Sequence, residues 1–564
     1  MSLLDPHPFP FDFDEWKTQP FHVRAKWLCQ AWAIQGFGAP RSVYLFYVVK
    51  TLLYVAGWLW FASFSEALGS PETLASWWSH PEAIVKAIAW SMLFEGLGLA
   101  SGSGPLTGRY MPPFGGALYY LCPGTIRIPL LPQLPILGGD RRTATDCLLY
   151  LLHIARLVRS LLAPSVTPEL LWPTVILLPL MSLRDRAMVM TSRPEHYLIG
   201  LICFLSPGES LAAAKWVWLG VWFWAATSKL NRHFPSVISV MLANSGLLPS
   251  RLFRDRLFRS RPDDLRTTAF TSRLAHFGTV TEYFFPLLLM SGFLFDGTAS
   301  PMGVPVTVLI GLVIMLGFHT FITLSVPMGV PIEWNVMMVY GGFALFGGHP
   351  EASPLSLQSV PLVASLSIAL FVIPLLGNLF PAWISFLLGM RFYAGNWAYS
   401  VWLFRDDAEE KIASEVTTIS KIPEQQLGWL YEASAVQMVL SRVISFRMMH
   451  LHGRVLHDVL PQAVDNIDRY TWRDGELVCG VVVGWNFGDG HLHNEHLLRA
   501  LQRRCRWESG QVRVIFVNPQ PMGRPFLSWR ICDARDGQLA CGRTAVDDLV
   551  DRQPWPADPV NESC

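Results

Sequence analysis

The sequence is poor in charge: 15% of its 564 residues are Asp, Glu, Lys or Arg against 51% hydrophobic, and the 44 basic and 43 acidic side chains nearly cancel. A net charge of +1 gives no general basic field, which removes nucleic acid from the expected partners. Paired cysteines are also missing. The nine cysteines are scattered singly, without a CxxC pair or metal-ligand spacing, which argues against a disulfide framework and for a reducing compartment. The N-terminus, "MSLLDPHPFPFDFDEW", lacks the basic region and apolar core of a secretory signal, so no cleavage is expected. The formal glycosylation acceptor at Asn561 has no other sign of secretory processing beside it, and the glycines near 102–116 make no phosphate loop because no GK[ST] follows.

What the chain does have is long apolar runs, 23 tryptophans and a mean hydropathy of +0.32. The runs extend from Val43 to Phe404, separated by short Pro/Gly or Arg-bearing loops, and predict an α-helical multi-pass membrane protein. The clearest are 43–64, 83–100, 211–228, 275–295, 302–325 and 360–380; shorter or more polar ones lie at 146–163, 168–181, 197–205, 333–347 and 381–404. About nine to eleven membrane elements are expected, some of them re-entrant. Ahead of them, residues 1–42 place Phe21, Trp27, Leu28 and Trp32 among Arg24 and Lys26, which suits an interfacial amphipathic helix or a cap packed on the bundle. Between Asn231 and Arg273 eight arginines face three aspartates, so this loop is expected to stay cytoplasmic.

From about Asp406 charge rises and the long apolar runs stop, which predicts a transmembrane domain over 43–405 and a small soluble α+β domain over 406–564. In the latter, Asp474-Gly475 reads as a turn between two β-rich runs and "HLLRALQRRC" as a helix. "VRVIFVN", "FLSWRICDA" and "QLACGRTAV" read as strands, with a second turn at Asp536-Gly537. "GDGHLHNEH" at 488–496 places His491, His493, Glu495 and His496 close together, in a pattern like that of metallo-β-lactamase-type hydrolases. No histidine follows His496 to complete such a site, so the preferred reading is a turn leading into a helix capped by Asp489, and no metal is expected.

Ionisable residues inside apolar segments are the functional candidates, because burying one costs about 2.5–3.5 kcal/mol for Lys or Arg on insertion scales. Four of the eight lysines, Lys50, Lys86, Lys215 and Lys229, fall in or at the ends of such segments. Lys86 and Lys215 lie near helix starts, where snorkelling to the lipid surface explains them. Lys229 closes "WVWLGVWFWAATSKLNRHF", and a lysine held in a low-dielectric site is able to act as a base near neutral pH; snorkelling is the competing account. Glu95 and Glu282 are carboxylates on apolar helices, either proton relays or neutral packing contacts; Glu95 is kept as a candidate site residue and Glu282 is not.

The run "AATSKLNRHF", with "PEHYLIGLICFL" before it and "EYFFPLLLMSGFLF" and "VLIGLVIMLGFHTFITLSVPMG" after it, resembles the HTTM membrane domain related to the vitamin K-dependent γ-glutamyl carboxylase, over about residues 140–350. The resemblance implies Lys229 as the catalytic base, with His196 and His319 as active-site histidines. It also implies a reduced quinone, menaquinol-like, which reacts with O2 in a dry pocket to oxygenate or carboxylate a hydrophobic or lipid-linked substrate. Trp218 and Trp222 are the candidate quinone-binding residues, on a helix where Trp216, Phe223 and Trp224 add flat apolar surface; an interfacial tryptophan belt is the alternative. The departures are Pro194-Glu195 ahead of the histidine, Ser228 in place of a second lysine, and the domain after 406 in place of the carboxylase's β-rich region. The whole chain is also similar to an uncharacterised family of bacterial transmembrane proteins, which implies the bacterial cytoplasmic membrane, with lipids as neighbours. A lipid or small-molecule transporter and a membrane anchor for the C-terminal part remain the other readings.

Overall fold

Prolines and capping side chains set where the apolar runs become helices. The computed structural model describes residues 3–100, 115–134, 137–246, 250–294, 303–325, 331–392, 394–485 and 490–556. Helix α1 (Phe21–Gln35) precedes α2 (Arg41–Ala62), which starts directly after Pro40. Helix α3 (Pro81–Gly96) opens on a proline, and the His80 ring accepts from the Glu82 amide. Helix α4 (Ala144–Leu162) opens with a capping box of Thr143 and Asp146, and α5 (Pro168–Arg184) follows. The chain then makes a π turn over Pro194–Leu198, continues to Cys203 and bends by 112° into α6 (Ser210–Ser228). Next come α7 (Phe234–Asn244), a small hairpin of β1 (Phe258–Ser260) and β2 (Asp264–Thr267), α8 (Ala269–Leu294), α9 (Val306–Thr323), α10 (Ile332–Gly342) and α11 (Val360–Leu379).

Among the described residues, four helices, α2, α8, α9 and α11, are long and apolar enough to cross a membrane, and the bent pair ending in α6 makes up to five. Four to five spans are thus supported of the nine to eleven membrane elements expected. Apolar composition alone does not separate a lipid-facing helix from one buried inside protein. Helix α3 is buried along nearly its whole length and carries Glu82, Lys86 and Glu95. Helix α4 bears Asp146, Arg156 and Arg159, and α5 contains Pro173 and Pro179. The run 381–404 is no helix: it turns and enters a strand.

That strand, β3 (Tyr399–Arg405), lies inside a five-stranded antiparallel sheet. After α12 (Ala433–Met449) come β4 (Tyr470–Asp474), α13 (Gly475–Val482), α14 (Glu495–Cys505), β5 (Val512–Val517), β6 (Phe526–Asp533) and β7 (Gly537–Ala545), and the spatial order is β4-β3-β5-β6-β7. The Asp536-Gly537 turn joins β6 to β7, with Gly537 at φ 81°. Asp474-Gly475 is no hairpin, because the Asp474 carboxylate accepts from the Glu476 amide and caps α13. Helix α14 is capped by Asn494, which accepts from the His496 amide; the expected cap, Asp489, lies outside the described residues, as do Asn561 and the glycines at 102–108.

The sheet has no core of its own. One apolar cluster joins Phe21, Trp32, Val240 and Leu265 to Leu403, Ile515 and Leu549, and a second joins Trp218 and Met315 to Trp402, Trp485 and Val514. Trp32 of α1 donates to the Val240 carbonyl of α7 at 3.1 Å, so α1 is packed into the protein. The Arg-rich loop touches the C-terminal part: the Leu265 amide donates to Gln553 at 3.0 Å, and Arg259 lies 3.4 Å from Asp551. Whichever side of the membrane that loop occupies, the sheet shares it.

Lys86 and Lys215 do not snorkel. Both are fully buried; Lys86 donates to the carbonyls of Phe61 and Ala163 (3.1 and 2.9 Å), and Lys215 to those of His349 and Ala352 (2.7 Å each). Each ammonium therefore ties its helix to backbone carbonyls of segments distant in sequence.

A histidine cluster pins the sheet to the α6–α7 junction. His233, His450 and His452 are buried with ring centres 6.2 Å (233–452) and 5.7 Å (450–452) apart, next to the Arg447–Asp474 ion pair at 2.7 Å. Burial, chiefly, pushes His233 down to about 4 and His450 down to about 3, with the Arg447 charge adding to the effect on His450. Protons that the unfolded chain binds below pH 6.5 are thus refused by the folded one, and stability falls as pH falls from 6.5 towards 3. Thermal denaturation of the detergent-solubilised protein is expected to show a decreasing midpoint from pH 7 to pH 4.5, with each histidine contributing up to about 1.4 kcal/mol per pH unit. A midpoint independent of pH over that range would show that these rings are not held neutral.

Candidate functional site

Lys229 follows the last residue of α6 and is buried, as is Glu282 in the middle of α8; its Nζ lies 2.5 Å from a Glu282 carboxylate oxygen. The ammonium also sits 5.5 Å from the ring centre of Phe318 and 5.7 Å from that of Phe234, so the ion pair is enclosed by aromatic walls. Glu282, left out of the candidates from sequence, is the nearest charged partner of the lysine that led them.

His319, next to Phe318 on α9, has both ring nitrogens engaged. The Trp222 indole N–H donates to Nε2 at 3.1 Å, and Nδ1 lies 2.8 Å from Asn335 Oδ1. An indole is only a donor, so Nε2 must accept and Nδ1 must carry the proton, which makes His319 a neutral imidazole with a fixed tautomer. It joins α6, α9 and α10 beside the ion pair and holds Trp222 in place.

His196 is fully buried in the π turn, and among the described residues neither of its ring nitrogens has a hydrogen-bond partner. Its ring is 4.6 Å from Trp218 and 6.0 Å from Trp334, whose ring in turn is 6.4 Å from His319. The two histidines are thus linked through Trp334. Beside His196 stands Arg193, in a left-handed backbone conformation (φ 50°), with Nε 2.7 Å from Glu195. Glu95, at the end of α3, acts electrostatically on Arg193, Tyr197 and Tyr54. Glu95 and His196 therefore belong to one buried cluster, and Lys229, Glu282 and His319 to another, with tryptophans between them. Arg193 was missed from sequence; a non-glycine residue at positive φ has no local signal in a single sequence.

An apolar cleft of about 670 Å³ runs between α6, α8 and the segment 354–371, and among its described lining residues Glu282 is the one carboxylate, with no Lys, Arg or His beside it. Trp216, Gly220, Phe223 and Trp224 present one face of α6 to it, and Phe223, Leu287 and Phe371 are exposed along it. Trp218 and Trp222 face the other way: Trp218 donates to the Met338 carbonyl at 3.1 Å and packs over Gly341, where a Cβ would come within 2.2 Å of the ring. The tryptophans placed at the cleft are thus Trp216 and Trp224.

The histidines of 488–496 do not converge. His493 Nδ1 bonds to Ser400 Oγ at 2.7 Å, His491 Nε2 lies 3.2 Å from the Ala382 carbonyl, and Glu495 pairs with Arg530 at 2.7 Å. Among the described residues no group of three or more His, Cys, Asp or Glu is placed to hold a metal ion.

Removing one partner of a buried ion pair leaves the other charge uncompensated, at a cost of about 3–5 kcal/mol. Lys229→Met is therefore expected to lower the thermal midpoint strongly, and Lys229→Met with Glu282→Leu to recover most of the loss. Additive losses in the double variant would show that the two side chains do not act as a pair.

No curated protein and no solved structure matches the chain. A protein family does, over residues 1–563, and its description brings no carboxylase, HTTM or quinone chemistry with it. The chain belongs to that family, described as transmembrane protein of unknown function (DUF3556).

Proposed function

We propose that the protein is a membrane-embedded enzyme that takes a hydrophobic or lipid-linked substrate into the cleft beside α6 and uses the Lys229–Glu282 pair as its acid–base group. The observation that carries this reading is the position of Glu282, which lines the apolar cleft and also holds Lys229. A carboxylate paired with an ammonium in a dry site transfers a proton within the pair at little cost in reorganisation, and a substrate hydroxyl at the cleft wall meets Glu282 first. His319, neutral and doubly bonded, positions the wall behind the pair, and the Tyr283 hydroxyl, 2.7 Å from Thr227 Oγ1, closes the polar end of the cleft.

A reduced quinone, as the HTTM resemblance implies, fits this lining: Trp216, Phe223 and Trp224 offer flat apolar contact and Glu282 an acceptor for a ring hydroxyl. When bound it supplies an ionisable hydroxyl and reducing electrons. We place the protein in a bacterial cytoplasmic membrane with the Arg-rich loop inside, on the charge of that loop. A second reading, lipid binding without chemistry, is favoured by the exposed apolar rim of Phe223, Leu287 and Phe371.

The test is quinol-dependent O2 uptake, with mass-spectrometric detection of oxidised product, in membranes carrying wild type, Lys229→Ala, Glu282→Gln or Gly220→Leu. Lys229→Ala and Glu282→Gln are expected to lower the rate about a hundredfold or more. Gly220→Leu, which fills the cleft next to Leu370, is expected mainly to raise KM. Wild-type rates equal to those of empty membranes, with hydrophobic ligand still co-purifying and lost in Gly220→Leu, would replace the enzyme by the binding protein.

A further inference from the structure

Helices α6 and α8 run antiparallel, and both pass from the apolar cleft into a second, polar pocket at the same level. On α6 the residues from Trp216 to Trp224 line the cleft, while Thr227 and Ser228 line the pocket; on α8, Glu282 to Met290 line the cleft and His276 the pocket. The Thr227–Tyr283 hydrogen bond of 2.7 Å and the Lys229–Glu282 pair mark the crossing. The pocket has a volume of about 570 Å³ and is lined by Arg232, Arg391 and Arg524, with His276, and by no Asp or Glu among the described residues.

The pocket is built before any ligand arrives. Its far wall is the β5–β6 loop, locked by reciprocal bonds between Asn396 and the Gln520 backbone (2.8 and 2.7 Å) and by the Met522 amide donating to the Asn378 carbonyl at 2.9 Å. Arg391 is only 4% exposed and is oriented by its bond to the Asn396 carbonyl at 2.9 Å. Arg524 is exposed on the loop, and among the described residues Arg232 has an exposed contact with Asp547 at 3.4 Å, which leaves its charge available to a stronger acceptor. Three arginines lining one cavity match a doubly charged, three-oxygen anion better than a carboxylate. From Trp216 to Ser228 the helix axis extends about 18 Å, enough to lay a hydrocarbon chain along the cleft with its polar end in the pocket.

We propose that the arginine pocket binds the phosphate of a lipid-linked phosphate monoester whose hydrocarbon chain occupies the cleft. This rests on the cleft being the substrate's place, and it names the substrate class. The same phosphate chemistry could come from a soluble ion, so the probes are phosphatidic acid, phosphatidylethanolamine with the same acyl chains, oleate and inorganic phosphate, each titrated against the full-length protein in detergent by native mass spectrometry. Phosphatidic acid is expected to bind about tenfold or more tighter than each of the others. The double variant Arg232→Gln and Arg524→Gln, two exposed sites that leave the buried Arg391 in place, is expected to remove that preference while still binding phosphatidylethanolamine.

Three results overturn the proposal: a preference for phosphatidic acid unchanged in the double variant, oleate binding as tightly as phosphatidic acid, or inorganic phosphate binding as tightly, which would make the pocket a site for soluble phosphate. Gly220→Leu separates this failure from failure of the cleft reading. If it weakens phosphatidylethanolamine while the arginine variant changes nothing, the cleft holds a chain and only the phosphate assignment falls. If it weakens no lipid, the cleft reading falls as well.

Discussion

A charge inside this protein needs a partner, and that constraint organises most of what surrounds the membrane helices. The chain has few charges to place, yet it buries several: Lys86 and Lys215 on backbone carbonyls, Arg142 on Asp185, Arg193 on Glu195, Arg447 on Asp474, and Lys229 on Glu282. Isolated, each would cost several kcal/mol in a low-dielectric interior. Partnered, all but the local Arg193–Glu195 pair link segments distant in sequence, so the cost becomes a geometric constraint. Arg142, fully buried, also donates to the Tyr119 carbonyl and to Thr125 Oγ1, and so fixes the chain ahead of α4 to the end of α5. Arg447 and Asp474 fix α12 to the sheet in the same way.

Of these pairs, Lys229–Glu282 differs in its surroundings. Glu282 also forms part of the wall of the apolar cleft. The neutral His319 beside it, held between Trp222 and Asn335, adds rigidity without adding charge. Helix α6 therefore has three roles at once: one face packs Trp218 and Trp222 against α9 and α10, another lines the cleft, and its end brings the lysine to α8.

Much of the C-terminal sheet was legible in the sequence. The alternating apolar runs at β5, β6 and β7, the Asp536-Gly537 turn and the helix at Glu495–Cys505 are local signals, and the structure has them where the pattern puts them. The same dipeptide at Asp474-Gly475 was misread because Asp before Gly serves equally as a helix cap, and the Val-rich run after it has no polar residue to reveal a helical period. Fewer spans are supported than the sequence suggests because α3, apolar and buried in protein, looks in sequence like a helix facing lipid. At the candidate site Lys229 stood out as a cation at the end of an apolar run. Its partner 53 residues on did not, since pairing across helices leaves no trace in either segment alone. The arginine pocket was illegible for the same reason, being assembled from α6, α8, α11 and the β5–β6 loop.

The exposed rim of the apolar cleft bears on how any occupant would arrive. Phe223, Leu287 and Phe371 are exposed along helices of membrane-spanning character, so a lateral path from a surrounding bilayer would cross no water layer. A ligand entering there diffuses in two dimensions, and its effective concentration is its mole fraction among the surrounding lipids. Diluting the bilayer with inert lipid at constant total ligand then starves the site, whereas enlarging the aqueous volume leaves it untouched.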